Sequence, residues 1–256
     1  MQATRYRLML LLLAAALAVR AEPVPEARVA VGNQVRGDAA APVPQVTPRF
    51  QELHAAYLAR AKAGPIGVLF LGDSITYGWN KVPAVWEKYY GAHQPANFGV
   101  GADQTQHLLW RIEHGELDGI SPQLVVLLIG TNNTAVNTAE EIFAAQTKII
   151  GLIRTKLPAA KVLVLAVFPR GPRSLGKDGV PRDDGVTRMK VIDAVNARLA
   201  SLDDGRNIRV LNVNRVFLGA DGRIPDALMP DQLHPNEEGY RRWAEAMQPL
   251  FAEMIK

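Results

Sequence analysis

Four stretches of this chain are apolar at nearly every position: residues 66–71 (IGVLFL), 124–129 (LVVLLI), 162–168 (VLVLAVF) and, more weakly, 208–213. Such runs, which do not alternate with polar residues, are expected of strands whose sheet is covered by helices on both faces. A shorter run at 96–100 makes a fifth strand. Between the strands, apolar residues recur at helical spacing over 82–90, 104–116, 139–156, 184–202 and 237–255. Ahead of the first strand, Thr47-Pro48 reads as a helix start, with Phe50, Leu53, Tyr57 and Leu58 along its apolar face. Repeated strand–helix units predict an α/β fold: a three-layer α/β/α sandwich around a five-stranded parallel sheet, in one domain over residues 47–256.

The N-terminus follows another pattern. Arg5 and Arg7 precede an apolar stretch over residues 8–19, and Val19-Arg20-Ala21 suits a cleavage site. This predicts a signal peptide over residues 1–21 and a secreted or periplasmic protein. The stretch falls short of the roughly 20 residues that span a bilayer, so no stable membrane insertion is expected after cleavage; the alternative is an uncleaved anchor. Residues 22–46 are rich in Pro, Ala, Val and Gly, with Pro23, Pro25, Pro42 and Pro44 near the two ends. They read as a linker or a loosely docked arm.

Composition narrows the function classes. With no cysteine, disulfides, thiolate metal sites, a cysteine nucleophile and a lipid-modified N-terminal cysteine are all excluded. The formal charge of +4 invites an anionic partner. Setting aside Arg5, Arg7 and Arg20 from the 29 basic residues leaves 26 against 25 acidic, so charge gives nucleic-acid binding no support.

Ligands of open parallel sheets sit beyond the carboxyl ends of the strands, so the residues that follow each strand carry the chemistry. Gly72-Asp73-Ser74 follows the first, Gly99-Val100-Gly101-Ala102-Asp103 the second and Gly130-Thr131-Asn132-Asn133 the third. Asp231-Gln232-Leu233-His234 precedes the last helix. Together they supply a hydroxyl, glycine-rich backbone, a side-chain amide and an Asp/His pair, which is what acyl transfer requires. Each has a plainer reading alone: Ser74 as a helix cap, Asn132 as a turn residue, Asp231 as a cap and His234 as a surface histidine. Their joint occurrence in this order favours the chemistry.

Other signals lead away. Gly99-x-Gly101 has Gln104 where a dinucleotide fingerprint needs its third glycine, and no G-x-S-x-G is present. His54, His93, His107 and His114 lack zinc-site spacing and read as packing or surface residues; no metal or cofactor is expected. Trp86, Trp110 and Trp243 fall in helical patterns as core residues, Trp79 stands close enough to Ser74 to line a pocket, and Arg111 and Asp103 have no assignable task.

The four blocks GDS, the Gly-rich segment with Asn and Asp, GTNN and DxxH resemble those of the SGNH (GDSL-type) hydrolases. The likeness runs from about Phe70 to the last helix. Stretches such as NFGVGADQTQHLLWRIEHGELDGI, FPRG and LHPNEEGY are similar to the catalytic subunits of platelet-activating-factor acetylhydrolase type IB and bacterial acetylesterase relatives. The resemblance implies a flavodoxin-like fold and a serine esterase with Ser74 as nucleophile, His234 as base and Asp231 as its orienter. It further implies an oxyanion hole from the Ser74 N–H, the Asn132 side chain and a backbone N–H of the second block. Many relatives have glycine at that last position, whereas this chain has Ala102, with Gly101 as the alternative donor. The expected substrate is a small-molecule or polysaccharide acyl ester, with acetyl groups on carbohydrate foremost. A lipid acyl-ester hydrolase or transacylase is the runner-up within the enzyme class, and a non-catalytic glycan-binding module is the reading from another class. The resembled subunits pair, which makes a homodimer an expectation.

Overall fold

The computed structural model describes residues 30–31, 34–174, 181–183 and 185–256; the expected signal peptide lies outside them. Five strands form one parallel sheet: β1 (Val68–Gly72), β2 (Pro95–Gly99), β3 (Leu124–Leu128), β4 (Lys161–Leu165) and β5 (Ile208–Leu211). Their spatial order is β2-β1-β3-β4-β5, so the strand order reverses between β1 and β3, where open α/β sheets place their ligands. Gly72 pairs with Gly99 on one side and with Leu128 on the other, so the first three strands end level.

The apolar runs are two-sided. Leu69, Leu71, Val125 and Leu127 pack on one face of the sheet, against α1 (Pro48–Lys62), α4 (Thr105–Arg111), α5 (Ala139–Lys156) and α6 (Val186–Leu199). Val68, Phe70, Leu124, Val126 and Leu128 point to the other face, which α3 (Pro83–Tyr90) and α7 (Glu237–Met254) cover. Every residue of β1 and β3 is buried, which is why alternation is invisible in the sequence. The three-layer α/β/α sandwich is therefore as expected.

Helix ends follow local chemistry. Thr47 caps α1 by accepting from the Phe50 N–H, with Pro48 in the first turn, and Thr138 and Glu141 form a reciprocal capping box on α5. Two expected helices are shorter than their patterns. The 104–116 pattern is regular only to Arg111 and then widens over Ile112–Glu116, interrupted at Gly115 (φ +100°). The 184–202 pattern ends as α6 at Leu199 and continues as a tight turn over Ala200–Leu202.

Each outer strand has some of its outward backbone groups occupied by polar groups of the protein. On β5 the Ile208 N–H donates to Asp204 Oδ1 (2.9 Å) and the Val210 N–H to Asp203 Oδ2 (2.9 Å). On β2 the Gly99 N–H donates to Asn97 Oδ1 (2.9 Å), and the Gly99 carbonyl accepts from the Tyr57 hydroxyl (2.5 Å).

Part of the 22–46 segment lies along the domain. Ala39 is fully buried. Its carbonyl accepts from Thr105 Oγ1 (2.8 Å), the Gly37 carbonyl from Asn137 Nδ2 (2.9 Å), and the Val43 N–H donates to the Gln106 carbonyl (3.2 Å).

Leu127 is 1% exposed at the centre of the larger core, whereas Val46 is 91% exposed. Leu127→Ala is expected to cost about 2–5 kcal/mol in urea unfolding, and Val46→Ala less than about 0.5 kcal/mol.

Candidate active site

Beyond the level ends of β1, β2 and β3 the chain turns in three tight segments. Asp73 caps the short helix α2 (Ser74–Tyr77), its Oδ1 accepting from the Ile75 N–H (2.9 Å). Ser74 is thereby the first residue of that helix. Its N–H has no intrahelical partner and lies at the positive end of the turn. The sheet end admits this geometry only with glycine beside it. A Cβ on Gly72 would come within 2.2 Å of the Leu128 carbonyl oxygen, and one on Gly99 within 2.2 Å of the Tyr77 nitrogen. Tyr240, from α7, donates its hydroxyl to the Ile75 carbonyl (2.6 Å) and fixes α2 from the other side.

The Asp231–His234 segment is a turn ahead of α7, whose own cap is Asn236. Gln232 adopts φ +60°, which reverses the chain sharply. Asp231 Oδ1 accepts the backbone N–H groups of Leu233 (3.1 Å) and His234 (2.7 Å), leaving Oδ2 against His234 Nδ1 at 2.7 Å. The opposite ring nitrogen, Nε2, lies 2.8 Å from Ser74 Oγ. The structure thus brings Ser74, 160 residues away in sequence, into one hydrogen-bonded line with His234 and Asp231. Such a line can pass a proton from the hydroxyl to the imidazole while the carboxylate holds the ring in place.

Asn132 follows β3 and donates one Nδ2 hydrogen to the Asp103 carbonyl (2.9 Å), which joins the third segment to the second. Among the described residues the other hydrogen of that amide has no partner. Ala102 adopts φ +61°, whereas Gly101 is outside the positive-φ region. The left-handed position of the loop therefore carries a side chain where glycine would be unstrained. Among the described residues the Ala102 N–H makes no hydrogen bond within the protein. Ser74 and His234 line a cavity of about 230 Å³ with Gly78, Lys81, Val82, Asn236 and Tyr240. Among the described residues no three His, Asp or Glu side chains are grouped to hold a metal ion.

Comparison with known proteins decides the family. The profile of the GDSL-like lipase/acylhydrolase family matches residues 70–242. The chain belongs to this family. Over 208 residues it is 31% identical to the human platelet-activating factor acetylhydrolase IB subunit alpha2, covering 81% of this chain and 86% of that protein. With the rat alpha1 subunit it shares 32% over 207 residues, 81% of this chain and 84% of the other. Among solved structures, a GDSL-like lipase from Bacteroides thetaiotaomicron superposes with a TM-score of 0.62 at 20% identity, covering 78% of this chain and 97% of its own. A carbohydrate esterase family 3 protein from Talaromyces cellulolyticus superposes at 0.56 and 22% identity, covering 74% and 98%. As a GDSL-family acylhydrolase, the protein is a hydrolase of esters.

The electrostatics of this acylhydrolase site separate its carboxylates. Partial burial works to raise the Asp231 pKa. Hydrogen bonds from the His234 side chain and backbone, with the nearby charge of Arg173, overcome it and hold the carboxyl well below the usual range. Asp103 and Asp73 behave oppositely: burial pushes the former up to about 7 against the pull of Arg111, and the latter up to about 6. Arg111 is itself fully buried, and the carboxylates of Glu116 and Asp103 restore the charge that burial opposes. Its side chain also donates to the Gly72 carbonyl (3.3 Å), and His54 Nδ1 lies 2.9 Å from Glu116 Oε1.

Three features of the site differ from or go beyond the sequence reading. Trp79 does not line the pocket: it is 1% exposed and packs among Phe70, Trp86, Tyr90, Tyr240 and Trp243. The turn after α2 swings its ring into the core. Arg173 donates to Asp231 Oδ2 (2.8 Å) and to the Asp231 carbonyl (3.1 Å). Arg170 is buried against Asp183 (2.5 Å). The FPRG stretch marks Arg170 only as part of a family likeness, and nothing in the sequence pairs Arg173 with Asp231.

Asp73 makes a pH prediction. Its folded-state pKa of about 6 lies above the unfolded value of roughly 3.9. The folded protein therefore binds this proton more tightly, so the group's stabilising effect is present below about pH 4 and lost as pH rises to about 6. Asn at this position keeps an oxygen for the Ile75 N–H and has no charge to bury. Asp73→Asn should therefore gain in Tm relative to wild type between pH 4.5 and pH 7, as read by calorimetry.

Proposed function

We propose that this protein is a serine esterase of short-chain acyl esters, acting on O-acetyl groups of carbohydrate outside the cytoplasm. The observation that carries the reading is the unbroken line from Ser74 Oγ to His234 Nε2 (2.8 Å) and from His234 Nδ1 to Asp231 Oδ2 (2.7 Å).

In this reading His234 takes the Ser74 proton as Oγ attacks the ester carbonyl carbon, and Asp231 stabilises the imidazolium. The carbonyl oxygen becomes an oxyanion that accepts from the Ser74 N–H, the Ala102 N–H and the spare Asn132 Nδ2 hydrogen. His234 then protonates the departing alcohol. Water, deprotonated by the same imidazole, attacks the acyl-enzyme, releases the acid and restores Ser74.

A cavity of about 230 Å³ lies beside Ser74 and His234, below the ~300–1,000 Å³ common for sites that hold drug-sized ligands, and in this reading it seats a short acyl group. The acetylhydrolase names of the curated relatives agree with it. The extracytoplasmic setting rests on the basic and apolar pattern of residues 1–21. Among the described residues, no helix is long and apolar enough to cross a membrane. A second reading, a lipid acyl-ester hydrolase, is favoured by the platelet-activating-factor part of the same names.

The test compares hydrolysis of p-nitrophenyl acetate, butyrate and octanoate by wild type and Ser74→Ala. Acetate should be preferred, and the variant should lose essentially all turnover while remaining folded by circular dichroism. Activity confined to octanoate would sink the short-acyl version in favour of the lipid one. An inactive, folded wild type would point to a glycan-binding module. Asn132→Ala should lower kcat by about 10²-fold, with a much smaller change in KM; an unchanged kcat would remove Asn132 from the oxyanion hole.

A further inference from the structure

The left-handed loop at Ala102 has a second support that comes from outside the residues matched by the family profile. Gln45, in the segment that precedes α1, donates its Nε2 hydrogens to the Gly101 carbonyl (3.0 Å) and to Asp103 Oδ1 (2.5 Å). These two acceptors flank Ala102 on either side. The remaining Asp103 oxygen, Oδ2, accepts from buried Arg111 (2.9 Å from Nε), and the Asp103 carbonyl accepts from Asn132. The Asp103 N–H closes the turn on Val100 (3.2 Å). The groups on either side of Ala102 are thus held by Gln45, Arg111, Asn132 and Val100, while among the described residues the Ala102 N–H itself makes no hydrogen bond.

The need for such a clamp follows from the residue. Alanine in the left-handed region costs about 1–2 kcal/mol relative to the ordinary conformations, so an unrestrained loop would relax by rotating the Gly101–Ala102 peptide. That peptide carries both the carbonyl that Gln45 grips and the N–H of Ala102. Rotation that broke the Gln45 hydrogen bond would swing the N–H by the same angle, because the two share one rigid plane. The segment around Gln45 is anchored independently. Ala39 is buried, Val43 bonds to Gln106, and the Ala40 carbonyl accepts from Lys148 Nζ (2.8 Å).

We infer that Gln45 is a positioning residue for ester hydrolysis, which orients the Ala102 N–H toward the developing oxyanion by fixing the peptide on its N-terminal side. The inference rests on the proposed serine-esterase reading and deepens it. Gln45 touches no reacting atom. It acts through the peptide plane, so it governs the transition state, in which the oxyanion is present, more than the bound ester, in which it is not.

The experiment uses the full chain and two variants. Gln45→Ala removes both donors; Gln45→Glu keeps the shape but turns an acceptor toward the Gly101 carbonyl and the Asp103 carboxylate. For p-nitrophenyl acetate, Gln45→Ala should lower kcat about tenfold and Gln45→Glu further, toward the ~10²-fold loss of an oxyanion donor, with KM within about twofold. Phosphorylation of Ser74 by diethyl p-nitrophenyl phosphate, which also places charge on an oxygen in the hole, should slow in the same ratio. A merely structural pin would lower Tm and leave both rates untouched at a temperature where the variants are folded, and that result overturns the inference. Equal losses in kcat and in 1/KM would overturn it as well. Ser74→Ala run alongside separates the two levels: an active wild type, a dead Ser74→Ala and unaffected Gln45 variants refute the role of Gln45 alone, whereas an inactive wild type refutes the esterase reading with it.

Discussion

A guanidinium shut away from water must find its partners inside the protein, and Arg111 finds them on three separate pieces of chain. Asp103 belongs to the loop after β2, Glu116 ends the widened turn after α4, and the Gly72 carbonyl closes β1. Removing either carboxylate would strand a buried charge, at a cost of about 3–5 kcal/mol. The end of β1, the loop that contains Ala102 and the start of the next connection are therefore not free to move apart. This one buried cation thereby ties the base of the Ser74-bearing turn to the second loop.

The other half of the site is built by different means. Asp231 and His234 reach Ser74 on a turn whose shape comes from backbone N–H groups folded onto a carboxylate, and α7 holds that turn at its foot through Asn236. The same carboxylate that shapes the turn orients the imidazole, so its charge is needed twice. Arg173 adds a third interaction with it. One half is fixed by a buried ion network and the other by a solvent-touched turn. They meet through the Ser74–His234 hydrogen bond and through Tyr240, which ties α7 to the Ile75 carbonyl.

Much of this was legible in the sequence, and what was not has a physical pattern. Continuous apolar runs announce strands covered on both faces, and Thr47-Pro48 announces the start of α1, because each signal depends on neighbours a few residues away. The blocks around Ser74, Ala102, Asn132 and Asp231–His234 could be located because strand ends collect chemistry in a parallel sheet. Trp79 was misplaced because the short helix α2 leaves no periodic trace, and its turn decides whether the ring faces the pocket or the core. Gln45 and Arg173 were invisible because their partners lie 56 to 58 residues away, on elements that no local pattern connects to them. The conformation of Ala102 belongs with these. An alanine in a glycine-rich loop says nothing of its dihedral angles until the loop is seen under restraint from four directions.

The treatment of the two outer strands bears on how this sheet behaves among other molecules. A parallel sheet ends on both sides in a row of unspent donors and acceptors, and such a row is a template onto which foreign strands can add. Here the outward N–H groups of Ile208 and Val210 are consumed by Asp203 and Asp204, and Gly99 is occupied by Asn97 and Tyr57. The carboxylates also place negative charge where an approaching backbone carbonyl would have to sit. At these positions the sheet offers an incoming strand fewer free donors and acceptors, although it is not closed as a barrel.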